Sequence, residues 1–180
     1  YRVKEETKSG YIMADIGGED DPYHVNVGLR IVNTDLTVDQ NQPANADPSY
    51  WGTDSWNGVL RDFTTNTIMR SYTDFLPSAN AVFDVSDGTK VRFSAARVVA
   101  RQPLVSLGQG FATNFTRDAA DDLFKFTNGS RGNAELEPFR AYQFDLGVEH
   151  YFGDQGLLSA GLFWKEVDSF IVNETVAVFV

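Results

Sequence analysis

Apolar and polar residues alternate one by one along several stretches of this chain, most clearly from Tyr142 to Phe152. Successive side chains of a β-strand point to opposite faces, so this alternation predicts strands with one apolar and one polar face. About six such strands are predicted, over residues 1–16, 23–34, 75–85, 90–99, 142–152 and 158–165. The sequence therefore predicts an all-β protein.

The connections between the predicted strands have two lengths, which alternate along the chain. Short turns rich in glycine are predicted at Gly17–Pro22, Ser86–Thr89 and Gly153–Gly156, whereas residues 36–70 and 102–140 lack periodicity. Structureless loops longer than about 12–15 residues are uncommon in compact domains. An up-and-down barrel in an outer membrane, however, has short periplasmic turns and long outer loops. The pattern is typical of a segment of an antiparallel transmembrane β-barrel with long extracellular loops.

A soluble antiparallel β-sandwich is the alternative, because its strands show the same alternation with the apolar face turned inward. Long loops at one end only favour the barrel, and so do full charges on the polar face. Aromatic residues also lie near the strand ends, where a membrane barrel carries its interfacial girdles. These aromatic residues are Tyr23, Phe83, Tyr142, Phe152 and Trp164.

The composition argues against several classes of function. A formal net charge of -10 and the lack of a Lys and Arg cluster argue against a nucleic-acid partner. The chain has no cysteine, so a disulfide framework and a thiolate metal site are both excluded. No run approaches the roughly 18 apolar residues of a membrane helix. Barrels escape that criterion, because only alternate residues of each strand meet lipid.

The polar faces of the strands predict a wet wall and not a catalytic site. Asp145 and Glu149 share a face, but four residues of strand separate them by about 13 Å. Glycosidase carboxylates lie roughly 5–10 Å apart, so this pair does not suit acid–base catalysis. Together with Asn26 and Arg30, both carboxylates are interpreted as facing a lumen. No catalytic residue, metal site or cofactor is predicted.

The two long stretches contain the candidate ligand-binding residues. Exposed aromatic side chains beside polar groups suit a ligand with flat apolar faces, such as a sugar ring or an aromatic chelate. Packing of one loop on another is the alternative for these residues and for the phenylalanines of the second stretch. An acidic run over residues 118–122 matches no calcium-binding spacing. The candidate residues of the first stretch are Tyr50, Trp51, Trp56 and Arg61.

Two segments resemble a known family. Residues 132–138 are Gly-Asn-Ala-Glu-Leu-Glu-Pro, and the strand, turn and strand that follow end in Asp-Ser-Phe-Ile at 168–171. Upstream, Leu-Pro-Ser-Ala-Asn at 76–80 precedes a hairpin whose second strand is followed by Arg-Gln-Pro at 101–103. Between about Tyr72 and Ile171, this arrangement resembles the outer-membrane β-barrel of TonB-dependent receptors.

The resemblance implies a partial barrel domain over residues 1–180, without the plug domain and the C-terminal strands, since the smallest outer-membrane barrels use eight strands. It also implies TonB-dependent uptake of a scarce nutrient, such as a carbohydrate or siderophore-bound iron, at the outer membrane of a Gram-negative-type bacterium. The implied partners are outer-membrane lipid, a plug domain of the same full-length chain, the TonB complex and the nutrient. A soluble β-sandwich that binds carbohydrate or acts as an adhesin, and a passive porin-like barrel, are the alternatives.

Overall fold

The computed structural model describes residues 1–18, 20–44, 63–120, 124–153, 155–168 and 174. Nearly all of these residues lie in β-strands, and none of the described segments forms a helix long and apolar enough to cross a membrane. The elements are β1 (Arg2–Ile16), β2 (Tyr23–Pro43), β3 (Phe63–Ser86), β4 (Thr89–Ala100), α1 (Leu104–Gly108), β5 (Ala112–Arg117), β6 (Phe124–Ser130), β7 (Phe139–Phe152) and β8 (Gly156–Val167).

Six of the strands form one antiparallel sheet in the order β1-β2-β3-β4-β7-β8, while β5 and β6 form a separate two-stranded sheet. Each strand of the large sheet pairs with its neighbour along the chain, apart from the excursion through α1, β5 and β6. This up-and-down order is the arrangement that the alternating pattern predicted. The predicted all-β, antiparallel fold is therefore confirmed, with β1 and β8 as the edges of the described sheet.

The three predicted short turns lie at one end of the large sheet, which we call the lower end. Gly17, Gly88 and Gly153 adopt φ values of 109°, 75° and 58° in these turns. This left-handed region favours glycine because it has no Cβ. A Cβ on Gly88 would also lie 2.5 Å from the carbonyl oxygen of Tyr151. The connections at the opposite, upper end are the long ones, as expected.

The prediction that residues 36–70 and 102–140 lack regular structure was wrong for much of the described part of both stretches. Strand β2 continues to Pro43, which pairs with Phe63 at the start of β3. The second stretch contains α1 and the β5–β6 hairpin. The strand pattern was missed because the apolar positions of β2 change face between Ile31 and Val32, and a single alternating template fails at that point.

A small apolar core lies against the upper part of β1, β2 and β3. Helix α1 and residues 132–138, which we call the loop layer, cover this part of the sheet. The side chain of Gln40 donates from Nε2 to the carbonyl oxygens of Leu107, at 2.6 Å, and Gly132, at 3.2 Å. The buried members of the core are Leu36, Val38, Leu107 and Ala134, with Val3, Ile68 and Leu136 packed around them.

Gly132 allows the two parts of the loop layer to pack closely. Its amide donates to the carbonyl oxygen of Gln109 at 2.9 Å, and the next amide donates to Ser106 at 2.8 Å. A Cβ at position 132 would lie 2.8 Å from the carbonyl oxygen of Ser106 and 2.9 Å from the amide nitrogen of Gln109. Both atoms belong to the backbone, so they cannot move aside as a side chain does.

We expect Gly132→Ala to loosen the loop layer by about 1–3 kcal/mol, the usual cost of forcing atoms into a packed site. Hydrogen exchange of the α1 amides in the full-length protein measures this loss of protection. Gly10→Ala is the matched control, because a Cβ at Gly10 meets no atom within 4 Å. Equal α1 protection in both variants would contradict the close packing described here.

Candidate functional site

The register of the sheet gathers apolar side chains into continuous rows on one face, which we call the belt face. One row crosses all six strands through Ile16, Val25, Ala81, Phe93, Leu146 and Leu162. The next row runs through Ala14, Val27, Ala79, Ala95, Phe144 and Trp164. Leu146 remains 45% exposed although its strand is paired on both sides. Within the described ranges, no second sheet covers these rows, so they are not a sandwich core.

The belt has a defined height. On β2 the belt face is apolar from Tyr23 to Ile31 and then carries Asn33, Asp35 and Thr37. A membrane-crossing strand needs about 9–11 residues, which is close to the length of this apolar stretch. The belt therefore matches the thickness of a bilayer and is followed above by a surface suited to water.

The predicted aromatic residues lie at the margins of the belt face. Tyr23 and Phe83 are paired on neighbouring strands at the lower margin. At the upper margin the rings of Phe144 and Trp164 lie 5.4 Å apart, centroid to centroid. Tyr142 follows on the same face and is 39% exposed. Aromatic side chains of this kind mark the two interfaces of membrane barrels.

The opposite, polar face carries rows of hydrogen-bonding side chains at the same height. One row contains Asp15, Asn26, Asn80, Ser94 and Asp145. Within it, Asn26 donates to Asp15 at 2.7 Å and Ser94 donates to Asp145 at 2.9 Å. Uncharged side chains thus lie between the two carboxylates, and on β8 the row continues to Phe163.

Ion pairs lie near the lower end of the polar face. Arg92 Nε contacts Glu149 Oε1 at 2.9 Å, and the hydroxyl of Tyr151 donates to the other oxygen of Glu149 at 2.9 Å. Lys90 Nζ lies 2.7 Å from Asp84. The Arg92 and Glu149 side chains are 49% and 23% exposed, so water reaches the pair. Charges in the middle of a strand are compatible with a wet surface and costly against hydrocarbon.

The four residues predicted to line a lumen all belong to the polar face. Asp145 and Glu149 have different partners, Ser94 and Arg92, and do not form a carboxylate pair. Arg30 donates to Ser9 at 3.2 Å, at the same height as the belt. In the described ranges, no group of three or more His, Asp and Glu side chains is placed to hold a metal ion.

The predicted ligand residues Tyr50, Trp51, Trp56 and Arg61 lie outside the described residues, within 45–62. In the second long stretch, the rings of Phe115 and Phe126 meet edge to face at 6.1 Å between centroids. This contact joins β5 to β6, as the loop-packing alternative predicted for that pair. Of the acidic run, Asp118 is bound to Lys125, which lowers the pKa of its carboxyl group.

Sequence reasoning missed polar contacts that join distant parts of the sheet near its upper end. Arg140 Nε contacts Asp74 Oδ1 at 2.6 Å, and the Asp74 side chain is only 3% exposed. Arg101, which follows β4, binds the carboxylate of Glu5 and donates to Thr7 at 2.9 Å. These partners are far apart in the sequence, and their strands are not neighbours in the sheet, so no strand pairing predicts the contacts. Arg101 belongs to the segment that resembles the family, but nothing in the sequence indicates its partner.

Burial also shifts the pKa of one tyrosine, Tyr72, in this upper region. Tyr72 lies on β3 opposite Thr34, above the height of the belt. Burial raises the pKa of the Tyr72 phenol above its ordinary value, and the nearby Glu5 carboxylate raises it further. The phenol therefore stays neutral at physiological pH and serves as a structural part of the covered surface.

An antiparallel up-and-down sheet with an exposed apolar belt, a hydrated opposite face and long connections at one end only defines the wall of an outer-membrane β-barrel. Comparison with protein families agrees: the chain belongs to the TonB dependent receptor-like, beta-barrel family, whose family model matches residues 1–180. The match extends the resemblance seen between Tyr72 and Ile171 over the whole chain. No curated protein matches the chain. The family comprises outer-membrane receptors of Gram-negative bacteria that act in transport and are not enzymes.

We expect Leu146→Arg, in the middle of the apolar rows, to destabilise the full-length barrel in lipid vesicles by about 2–4 kcal/mol, because the charge then meets hydrocarbon. Unfolding in guanidinium measures the loss. Ser159→Arg is the matched control, since Ser159 lies on the polar face opposite Glu149. A loss of the same size in both variants would show that the two faces do not meet different solvents.

Proposed function

We propose that this chain forms part of the wall of an importer that moves a scarce small nutrient across the outer membrane. Energy for release comes from the TonB complex of the inner membrane. One observation supports the proposal: at the same height, the sheet has an exposed apolar belt on one face and hydrated ion pairs on the other. A wall of this kind separates lipid from an aqueous or plug-filled interior. The nutrient class is a carbohydrate, siderophore-bound iron or a molecule of similar size.

The polar face is proposed to line the lumen. Asn26, Arg30, Asp145 and Glu149 would then contact water or the plug domain of the same full-length chain. An open depression of about 470 Å³ lies beside Asn26 and Arg30. The TonB complex is reached through the N-terminal part of the full-length protein.

Further strands of the same barrel are proposed to pair with β1 and β8. Both are edges of the described sheet, and both carry belt residues at the height of the membrane. An unpaired backbone N–H or C=O costs several kcal/mol in hydrocarbon, so transmembrane sheets close on themselves. Residues 1–180 are therefore proposed to be a partial barrel domain.

The ligand is proposed to bind the first long connection, through Tyr50, Trp51, Trp56 and Arg61. The β2–β3 hairpin supports this assignment, because its strands remain paired up to Pro43 and Phe63, well above the belt. The segment that joins them in sequence thus starts and ends on the outer side of the membrane. Indole and phenol rings stack on the flat apolar faces of sugars and aromatic chelates.

The importer requires energy from TonB, whereas a passive porin-like barrel does not, and an uptake experiment can therefore distinguish them. The test measures uptake of labelled oligosaccharide and ferric siderophore by cells that produce or lack the full-length protein, with and without TonB. We expect uptake of one nutrient class to require both the protein and TonB. Uptake that persists without TonB would contradict the proposal and indicate passive diffusion. A soluble β-sandwich would instead be recovered as a detergent-free monomer.

We expect the double variant Trp51→Ala, Trp56→Ala of the full-length receptor to bind its nutrient about tenfold more weakly, since aromatic stacking contributes about 0.5–1.5 kcal/mol per contact. Titration calorimetry on the purified receptor measures the affinity. Phe83→Ala serves as the control, because Phe83 lies at the lower margin of the belt face. Unchanged affinity in the double variant would remove these residues from the ligand site.

A further inference from the structure

Arg97 lies on the belt face, directly above the apolar residues of β4. On β4, the residues Val91, Phe93 and Ala95 belong to the apolar rows, and Arg97 follows them on the same face at the upper margin. Arg97 is paired with Tyr142 of β7, and its guanidinium carbon lies 5.6 Å from the centre of the tyrosine ring. The contact holds the cation beside an aromatic residue of the upper interface.

Local strand geometry explains the position of this guanidinium. Toward the upper end of the sheet, the β3–β4 pairing ends at Ser78 and Ala96. Ser78 is preceded in β3 by Pro77, which has no backbone N–H to donate. Beyond this point Arg97 Nη1 donates to the carbonyl oxygen of Phe75 at 3.3 Å. The side chain thus bridges β3 and β4 where the backbone pairing has stopped, and its orientation is fixed.

The charge of Arg97 is not compensated by the protein. Arg92, five residues earlier on the polar face of the same strand, is paired with Glu149 at 2.9 Å. Within the described part of the chain, no carboxylate pairs with Arg97, and its Nε is buried without a hydrogen-bond partner. A guanidinium has five N–H donors; among the described residues one of them bonds to Phe75, the Nε donor is buried, and the other three belong to the two terminal nitrogens.

The surroundings of Arg97 are those of a lipid headgroup region. Exposed aromatic side chains lie on its row or on adjoining rows, with Phe75 at 52% and Trp164 at 53% exposure. Below it the belt face is apolar, as the acyl chains of a lipid require. Glu166 lies beyond Tyr142 in the same row, so an anion would approach from the side of Phe75.

We propose that Arg97 binds the phosphate of an anionic lipid in the outer leaflet of the membrane, whose acyl chains lie on the belt below. Arginine suits this role because its planar donors match phosphate oxygens in pairs. The proposal rests on the outer-membrane placement of the family and is independent of which nutrient is imported. Failure of the nutrient experiments therefore leaves it intact.

The test uses the full-length receptor, purified in mild detergent and stripped of lipid, with native mass spectrometry as the readout. The probes are a phosphorylated outer-leaflet glycolipid and the same lipid after removal of its phosphates. We expect the wild-type protein to bind the phosphorylated form about tenfold more tightly, as one charge-assisted contact implies. This comparison needs no variant, and equal binding of the two lipids would overturn the proposal.

The variants locate the site. Arg97→Gln should lose the preference for phosphate, Arg97→Lys should keep part of it, and Arg92→Gln should keep all of it, because Arg92 lies on the polar face. Heat-modified mobility on gels shows whether each variant is folded. A preference that survives in folded Arg97→Gln, or that is lost equally in Arg92→Gln, would assign lipid binding elsewhere. Competition by free inorganic phosphate at the lipid concentration would indicate an unspecific anion site and would also overturn the proposal.

Discussion

Continuous backbone pairing is the constraint on which the rest of this structure depends. Hydrocarbon offers no hydrogen bonds, so a strand that crosses it must give every N–H and C=O to its neighbours. The ladders from β1 to β8 provide this pairing through most of the height of the belt, and only the β3–β4 ladder stops below its upper margin, at Ser78 and Ala96. Once the backbone is satisfied, alternate side chains are free to meet two different solvents, and the rows of Leu146 and of Asp145 show both on one strand.

The same strands change their relation to solvent above the membrane. On β2 the belt face becomes polar after Ile31, and the opposite face becomes apolar from Val32 to Val38 under the loop layer. One continuous strand therefore has its apolar residues outward at the level of lipid and inward at the level of the loops. The reversal takes place over adjacent residues and needs no bulge, because the β1–β2 and β2–β3 registers run through it unbroken.

This reversal is also the point at which prediction from the sequence alone failed. The belt strands and their turns followed from simple alternation, as at Tyr142–Phe152, because each has one apolar face throughout. Above Ile31 the alternation changes phase, so paired strand was interpreted as loop. The β5–β6 hairpin was missed because its asparagine and threonine residues resemble those of a loop. The Asp74–Arg140 contact was beyond local patterns, since it depends on two strands separated by a third. For Tyr50, Trp51, Trp56 and Arg61, the prediction stays a prediction.

The attachment of the loop layer has a mechanical consequence. The layer is joined covalently to β4 and β7, yet it packs on β1, β2 and β3, and so it spans the place where the β3–β4 ladder stops beside Pro77. Moving the layer away from the sheet would expose Val38 and Leu107 and break the hydrogen bonds from Gln40 to Leu107 and Gly132. The layer therefore links β4 and β7 to the first three strands by packing, at the place where hydrogen bonding between β3 and β4 has ended.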